Sequence, residues 1–277
     1  MSVFRGRTAL ISGGSRGIGL AIALRLAREG ANIAILAKTD APDPRLPGTV
    51  HTAAEAIVAN GGQALPIVGD VRDEGSVDGA IHRTVERFGG IDIVINNASA
   101  IGLLPSPQLP TKRYDLMFDI NARGTFLLSK HAFAHLAASD HAHILTLSPP
   151  LNLDRRWLVE HAAYTASKYT MTMLTLGFAE SGRDVGIAAN CLWPQTMIDT
   201  AAVRNGLAVA PGQAPVSTRT PEIMADAAHA ILSKTSLELT GETLVDETVL
   251  RNEGVVNFSG YLAPDAREES LEVDLFL

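Results

Sequence analysis

Short apolar runs of strand length alternate with amphipathic stretches of helical length along most of this chain. Residues 8–11, 32–37, 64–68, 91–95, 143–147, 185–192 and 242–245 predict seven strands. Residues 17–28, 53–60, 74–88, 112–138, 162–180 and 221–233 predict the helices between them, and Pro221 opens the last at its first position. Strands separated by single helices need crossover connections, which give a parallel sheet covered on both faces. The expected fold class is therefore α/β: a single doubly wound parallel sheet of about seven strands, of Rossmann type.

Residues 1–277 read as one such domain, with no internal repeat and no low-complexity tract. Residues 39–50 form a Pro/Gly-containing insertion after the second strand. Residues 197–220, with Ala210-Pro211-Gly212 and Ala214-Pro215, predict a mobile cover over a substrate site. Residues 248–277 are an acidic extension that the alternation does not place.

Composition narrows the classes. A hydrophobic content of 46% suffices for one large core. A net charge of -7, with no cluster of Lys and Arg, argues against nucleic acid as a partner. No apolar run approaches the roughly 20 residues of a membrane span. The start, Met1-Ser2-Val3-Phe4-Arg5-Gly6-Arg7, lacks a signal-peptide hydrophobic region, so a cytoplasmic location is expected. Cys191 is the lone cysteine, which excludes an intrachain disulfide and fits a reducing compartment. Its apolar surroundings, 187–193, mark it as packing rather than a nucleophile.

Chemistry enters with Tyr164-Thr165-Ala166-Ser167-Lys168. Positions i and i+4 stack on one helix face, so a phenol and an ammonium come together. A cation beside a phenol favours the phenolate and lowers its pKa toward working pH, as an acid/base group for an alcohol oxygen requires.

Gly13-Gly14-Ser15-Arg16-Gly17-Ile18-Gly19 follows the first strand and opens the first helix. Its spacing is G-x-x-x-G-x-G, and its glycines let backbone N–H groups approach a pyrophosphate at the positive helix end. At the end of the second strand, Leu36-Ala37-Lys38-Thr39 lacks the acid that meets a ribose 2′-hydroxyl. Lys38 and Arg16 could neutralise a 2′-phosphate instead, which favours NADP(H); Asp40 nearby keeps NAD(H) open. Asp70-Val71 and Asn97-Ala98-Ser99 follow the third and fourth strands, where a cofactor's adenine and ribose would be met.

Taken in order, Gly13 to Gly19, Asp70, Asn96-Asn97-Ala98, Asn121 and Tyr164/Lys168 resemble the short-chain dehydrogenase/reductase family across the chain to about Asp246. A closer likeness, to the hydroxysteroid dehydrogenase-like branch, is carried by Ala37-Lys38-Thr39, Gly69-Asp70-Val71-Arg72-Asp73-Glu74, Thr111-Lys112-Arg113-Tyr114-Asp115-Leu116-Met117 and Leu147-Ser148-Pro149-Pro150-Leu151-Asn152-Leu153. The resemblance implies an oxidoreductase in which Tyr164 is general acid/base and Lys168 lowers its pKa and binds the nicotinamide ribose. It implies that Asn121 holds a water linking Lys168 to solvent, and that Pro194, Thr196 and Met197 flank nicotinamide, with Gln195 where the family has glycine. It also implies a homodimer or homotetramer formed through helices 112–138 and 162–180.

One departure concerns the substrate-orienting serine. Family members show two hydroxyl residues at the end of the fifth strand, and here Ser148-Pro149 puts proline in the second slot. Proline offers neither hydroxyl nor N–H, so Ser148 either takes the catalytic role or merely ends the strand. The expected substrate is a small hydrophobic carbonyl or alcohol, as Met197, Ile198, Ala201 and Ala202 of the cover suggest. Trp157 could line its pocket, and Arg155 or Arg156 could meet an anionic group. An enoyl-thioester reductase and a non-catalytic dinucleotide-binding module are the alternatives. His131 and His135, i,i+4 on a helix, could chelate a metal, but no acid lies between them, and no metal is expected.

Overall fold

The structure, a computed structural model, describes residues 2–43, 47–201, 203–204, 217–236 and 238–277. Seven strands form one sheet: β1 Thr8–Ser12, β2 Asn32–Ala37, β3 Gln63–Val68, β4 Ile93–Asn96, β5 Ala142–Thr146, β6 Ile187–Trp193 and β7 Thr243–Val245. Their order is β3-β2-β1-β4-β5-β6-β7, and every pairing is parallel. The chain steps outward from β1 in one direction through β3, then crosses back to β4 and runs the other way. Ligands of such sheets bind at the carboxyl ends of the two strands flanking that reversal, here β1 and β4.

The helices between them are α1 Gly17–Ala27, α2 Val50–Ala59, α3 Glu74–Phe88, α4 Thr111–Met117, α5 Gly124–Leu136, α6 Arg155–Gly182, α7 Glu222–Leu232 and α8 Asp246–Asn252. One face of the sheet buries Ile22 and Leu26 of α1, Ile57 of α2, and Ile223 and Ile231 of α7. The other buries Val77 and Ile81 of α3, Leu128 and Leu136 of α5, and Ala179 of α6. Central strands β1, β4, β5 and β6 are buried at every position, which is why they read as unbroken apolar runs. Cys191 lies in the middle of β6 with none of its surface exposed.

Two helices differ from expectation. The stretch expected as one helix over 112–138 is interrupted by a π-helical turn, Phe118–Arg123, between α4 and α5. The helix expected at 162–180 begins where foreseen, but a separate turn containing Trp157 precedes it across a kink at His161, whose φ is -156°. Asp154 caps that turn by accepting from the Arg156 N–H at 2.9 Å.

The acidic extension is ordered against the rest of the molecule. Residues 271–274 run beside the segment after β6: Thr196 bridges Val273, the Met197 N–H donates to Glu272 O at 3.0 Å, and the Asp274 N–H donates to Gln195 O at 3.1 Å. Of the expected substrate cover, 202 and 205–216 lie outside the described residues. Among the described residues no helix is long and apolar enough to cross a membrane.

Candidate active site

A cleft of about 510 Å³ opens at the carboxyl ends of β1 and β4. Its lining includes Gly13, Ser15, Arg16, Gly17, Ile18, Lys38, Asp70, Val71, Asn97, Ala98, Ser99, Tyr164, Lys168 and Pro194. Residues separated by up to 181 positions are thus brought to one wall by the β1/β4 reversal.

The glycine loop fits a phosphate. Gly13 and Gly17 have φ of 68° and 56°, a region that side-chain-bearing residues avoid. No side chain caps the N-terminus of α1 and no acid stands in its first turn, so its leading N–H groups remain available for an anion. A Cβ on Gly13 would come within 2.9 Å of Asn97 Nδ2, so the loop is a cradle with no room for a side chain. Asn97 fixes it by donating from Nδ2 to Ser12 O and Gly13 O, both at 3.0 Å. The Ser12 hydroxyl accepts from the Asn97 and Ala98 N–H groups at 3.1 Å.

Gly19, expected at the cofactor, does not line the cleft. A Cβ there would stand 2.5 Å from Asn97 Nδ2, so this glycine makes room for the asparagine that holds the loop. Gly19→Val should therefore cost about 1–3 kcal/mol by overpacking. Dinucleotide affinity measured by fluorescence titration should fall with it, by more than tenfold.

At the adenosine end, Arg16 is drawn under the 39–50 insertion. It donates to Thr39 Oγ1 at 3.0 Å, Pro47 O at 3.1 Å and Gly48 O at 2.7 Å. Gly48, at φ 97°, packs so tightly that a Cβ would lie 2.7 Å from Ser15 O. Lys38 is exposed and pairs with Asp70 at 3.2 Å. The Arg72 guanidinium grips Asp70 through Nε and Nη2 at 2.9 and 2.7 Å, and this contact holds the carboxyl at about 2.

At the other end Tyr164 and Lys168 stand on α6, both buried, with the Lys168 Nζ donating to Leu147 O at 2.5 Å and lying 5.0 Å from the Trp193 ring centroid. The Tyr164 hydroxyl makes no hydrogen bond to any described residue. Burial pushes the phenol above its ordinary value, and the Asp274 carboxylate adds to that. Burial pulls Lys168 down to about 7. The expectation that the ammonium lowers the phenol's pKa differs from the direction found here: Tyr164 is out of water, and loss of hydration raises it.

Asn121 lies in the π-helical turn, off the cleft wall and fully buried. Its side chain accepts from the Ala100 N–H at 2.7 Å and donates to Ala100 O at 2.9 Å and Ser167 Oγ at 3.0 Å. It therefore braces the loop after β4 against α6, one turn from Tyr164. Asn96 does similar work below, donating to Ser129 Oγ at 2.9 Å and Thr146 Oγ1 at 3.2 Å.

Ser148 does not line the cleft. It is fully buried beside the Cys191 thiol, and its hydroxyl has no hydrogen-bond partner of normal geometry among the described residues. Thr196 and Met197 are also off the cleft, because their backbone pairs with residues 272–273. The residues that do continue this wall are Trp193, Ile198, Thr200 and Ala201. Thr200 reaches to 3.5 Å from where a Cβ on Gly17 would lie, closing the segment over the glycine loop.

Sequence reading missed the tail. Asp274 and Leu275 line the cleft, and Phe276 is 1% exposed. The segment is held by Trp193 Nε1 donating to Leu275 O at 2.8 Å, Asn152 Nδ2 to Phe276 O at 2.9 Å and Arg156 Nη2 to Leu277 O at 2.5 Å. Burial raises Asp274 to about 7. The one available signal was the run Leu275-Phe276-Leu277, apolar at the end of an otherwise acidic stretch. Trp157 packs here too, and Arg156 covers its ring rather than facing the cleft. His131 meets Glu74 and Asp78 at 3.0 and 3.3 Å on the surface, away from the cleft.

Residues 7–207 match the family model of the short chain dehydrogenases. Hydroxysteroid dehydrogenase-like protein 2 of Danio rerio is 51% identical over 256 residues, covering 92% of this chain and 60% of that protein. The chain thus spans less than two thirds of the length of this curated relative. A crystallised chain from Xanthomonas campestris superposes with a TM-score of 0.94 at 47% identity, covering 100% of this chain and 99% of that one. A short chain dehydrogenase from Burkholderia cenocepacia J2315, solved in complex with NADP, superposes with a TM-score of 0.73 at 27% identity, covering 88% and 97%.

Proposed function

The chain belongs to the short chain dehydrogenase family, and from that premise we propose that it is an NADP(H)-dependent reductase of small hydrophobic carbonyl compounds. The observation that carries this reading is the Tyr164 hydroxyl: without a hydrogen-bond partner among the described residues, on the wall of the cleft that also holds the glycine cradle, and one helical turn from Lys168. A nicotinamide dinucleotide, when bound, would supply the hydride for the carbonyl carbon.

The chain's own part is to bind, orient and protonate. Gly13, Gly17 and the open end of α1 would hold the pyrophosphate. Asn97, Ala98 and Ser99 lie along its path toward Tyr164. The phenol, kept protonated by burial, is an acid in waiting. It donates its proton to the carbonyl oxygen as negative charge develops there, and the product is an alcohol. Lys168, one helical turn along α6, would stabilise the phenolate left behind, since an opposite charge counts for more in low-dielectric surroundings. Both Nδ2 protons of Asn121 are taken and its Oδ1 accepts from the Ala100 N–H, so the side chain's part is to brace the loop after β4 against α6. Ser148 lies two residues past β5 and off the cleft, so carbonyl orientation is left to Tyr164 and the cleft walls.

NADP(H) is favoured by two cations, Arg16 and Lys38, at a corner where the residue directly after β2 is Lys38 and not an acid. NADPH should bind at least about tenfold tighter than NADH in a fluorescence titration, and Lys38→Ala should narrow that gap, since a charge-assisted phosphate contact contributes roughly 1.5–3 kcal/mol. Tighter NADH binding would overturn the cofactor assignment. NADPH oxidation with a panel of ketones and aldehydes tests the reaction, and turnover confined to enoyl thioesters would replace it with C=C reduction. Exposed Tyr114, Phe126 and Met173 on α4, α5 and α6 fit a homo-oligomer joined through those helices.

A further inference from the structure

Phe276 sits inside a chamber of aromatic rings at the catalytic end of the cleft. Its centroid lies 5.4 Å from Trp157, 5.8 Å from His161, 6.0 Å from Tyr164, 5.4 Å from Tyr169 and 5.8 Å from Trp193. Both tryptophans and two of the four tyrosines of the chain, with one histidine, surround this one ring, a dense grouping where Phe, Trp and Tyr make up only 5% of the residues. Centroid separations of this size are those at which ring edges and faces attract.

Three features distinguish this chamber from ordinary core. Phe276 has a φ of 74°, in the left-handed region that a bulky residue rarely adopts, so its docked position is strained. Trp157 Nε1 and His161 Nε2 are buried polar atoms with no hydrogen-bond partner among the described residues. Unpaired buried polar atoms are uncommon in finished cores and recur where a ligand completes the structure. Finally, Tyr164, whose ring forms one wall, carries the free hydroxyl on which the proposed chemistry depends. A ring in this chamber therefore touches the catalytic phenol.

The two unpaired nitrogens differ in kind. Thr165 Oγ1 donates to Trp157 O at 2.9 Å, which leaves its lone pair to accept from His161 Nδ1 at 3.1 Å. The proton then resides on Nδ1, and His161 Nε2 is an acceptor. Trp157 Nε1 is a donor only. A ring hydroxyl satisfies both kinds of atom, whereas the Phe276 ring satisfies neither.

We propose that the chamber is the substrate's aryl subsite, that the carbonyl compound reduced here carries an aromatic ring, and that Phe276 occupies the subsite as a stand-in which the substrate displaces. This deepens the reductase reading and rests on it for the role of Tyr164. The tail is suited to leaving, because apart from the chamber it is held by a handful of hydrogen bonds to Gln195, Asn152, Arg156 and Trp193.

The chain has two tryptophans, Trp157 and Trp193, and both border Phe276, so intrinsic fluorescence reports on the chamber directly. The test titrates wild type and Phe276→Ala with phenylethanol, its para-hydroxy analogue and butan-2-ol, without dinucleotide. Removing the stand-in raises the fraction of open chamber, so phenylethanol should bind at least about fivefold tighter to Phe276→Ala. The para-hydroxy analogue should gain as much or more, and butan-2-ol should gain nothing. Asn152→Ala loosens the tail without carving the chamber, and it should show a smaller gain of the same sign should Phe276→Ala fold poorly. Equal aryl affinity in wild type and both variants, or an equal gain for the aliphatic alcohol, overturns the proposal. Tighter aryl binding without NADPH-dependent turnover would retain the subsite and sink the reductase reading. Carbonyl turnover indifferent to Phe276→Ala would do the reverse.

Discussion

Tyr164→Phe should lower NADPH-dependent carbonyl reduction by roughly a hundredfold to ten-thousandfold and leave stability within about 0.5 kcal/mol of wild type. The two halves of this expectation come from the same observation. The hydroxyl makes no hydrogen bond to a described residue, so its removal strands no donor or acceptor inside the protein. The ring keeps its packing against Phe276 and His161. What is lost is the proton delivered to the carbonyl oxygen. Steady-state turnover and a thermal melt on the same preparation separate the effects. Full turnover in the variant would remove the mechanism, and a large fall in melting temperature would show that the hydroxyl is structural.

Lys168→Met should separate stability from activity in the opposite sense. Lys168 is 2% exposed, and burial pulls its pKa to about 7, so near neutrality the native fold holds a charge it would rather release. Because the native pKa lies below the unfolded value of 10.5, the unfolded chain binds more protons between about pH 7 and 10.5, and stability rises with pH across that window. A methionine of similar length carries no such penalty, although it leaves Leu147 O without its donor, a cost of about 1–3 kcal/mol. The variant should therefore melt at or above the wild-type temperature at pH 7, and its advantage should shrink as pH rises toward 10. Its turnover should fall by roughly a hundredfold or more, because the phenolate formed at Tyr164 loses its only cationic neighbour on α6. A variant both less stable and fully active would contradict the account.

The strands and helices were legible because each is specified locally. The runs at 32–37 and 74–88 match the observed β2 and α3 residue for residue, since β-branched alternation and a capping Asp73 set them without outside help. The glycine loop was legible for the same reason. The π-helical turn at Phe118–Arg123 was not, because one inserted residue leaves the apolar spacing on either side intact. Ser148 was ambiguous in sequence, since its fate depends on which way the chain leaves β5 toward Pro149 and Pro150. The tail was wholly illegible: its partners Asn152, Arg156 and Trp193 lie 82 to 124 residues away, and no local period encodes such contacts. The same holds for Thr200, which reaches the glycine loop through the path of the segment after β6.

The lone thiol of this chain, on Cys191, is walled into β6 between β5 and β7, behind Ser148, Thr172 and Thr175. A maleimide or other alkylating reagent can reach it only when β6 parts from its neighbours, so the rate of covalent labelling is a clock for opening of the sheet itself. Molecules that grip only the folded form slow that clock in proportion to how tightly they hold. One thiol thus makes the protein its own screening device for natural ligands, with no need to know the reaction beforehand.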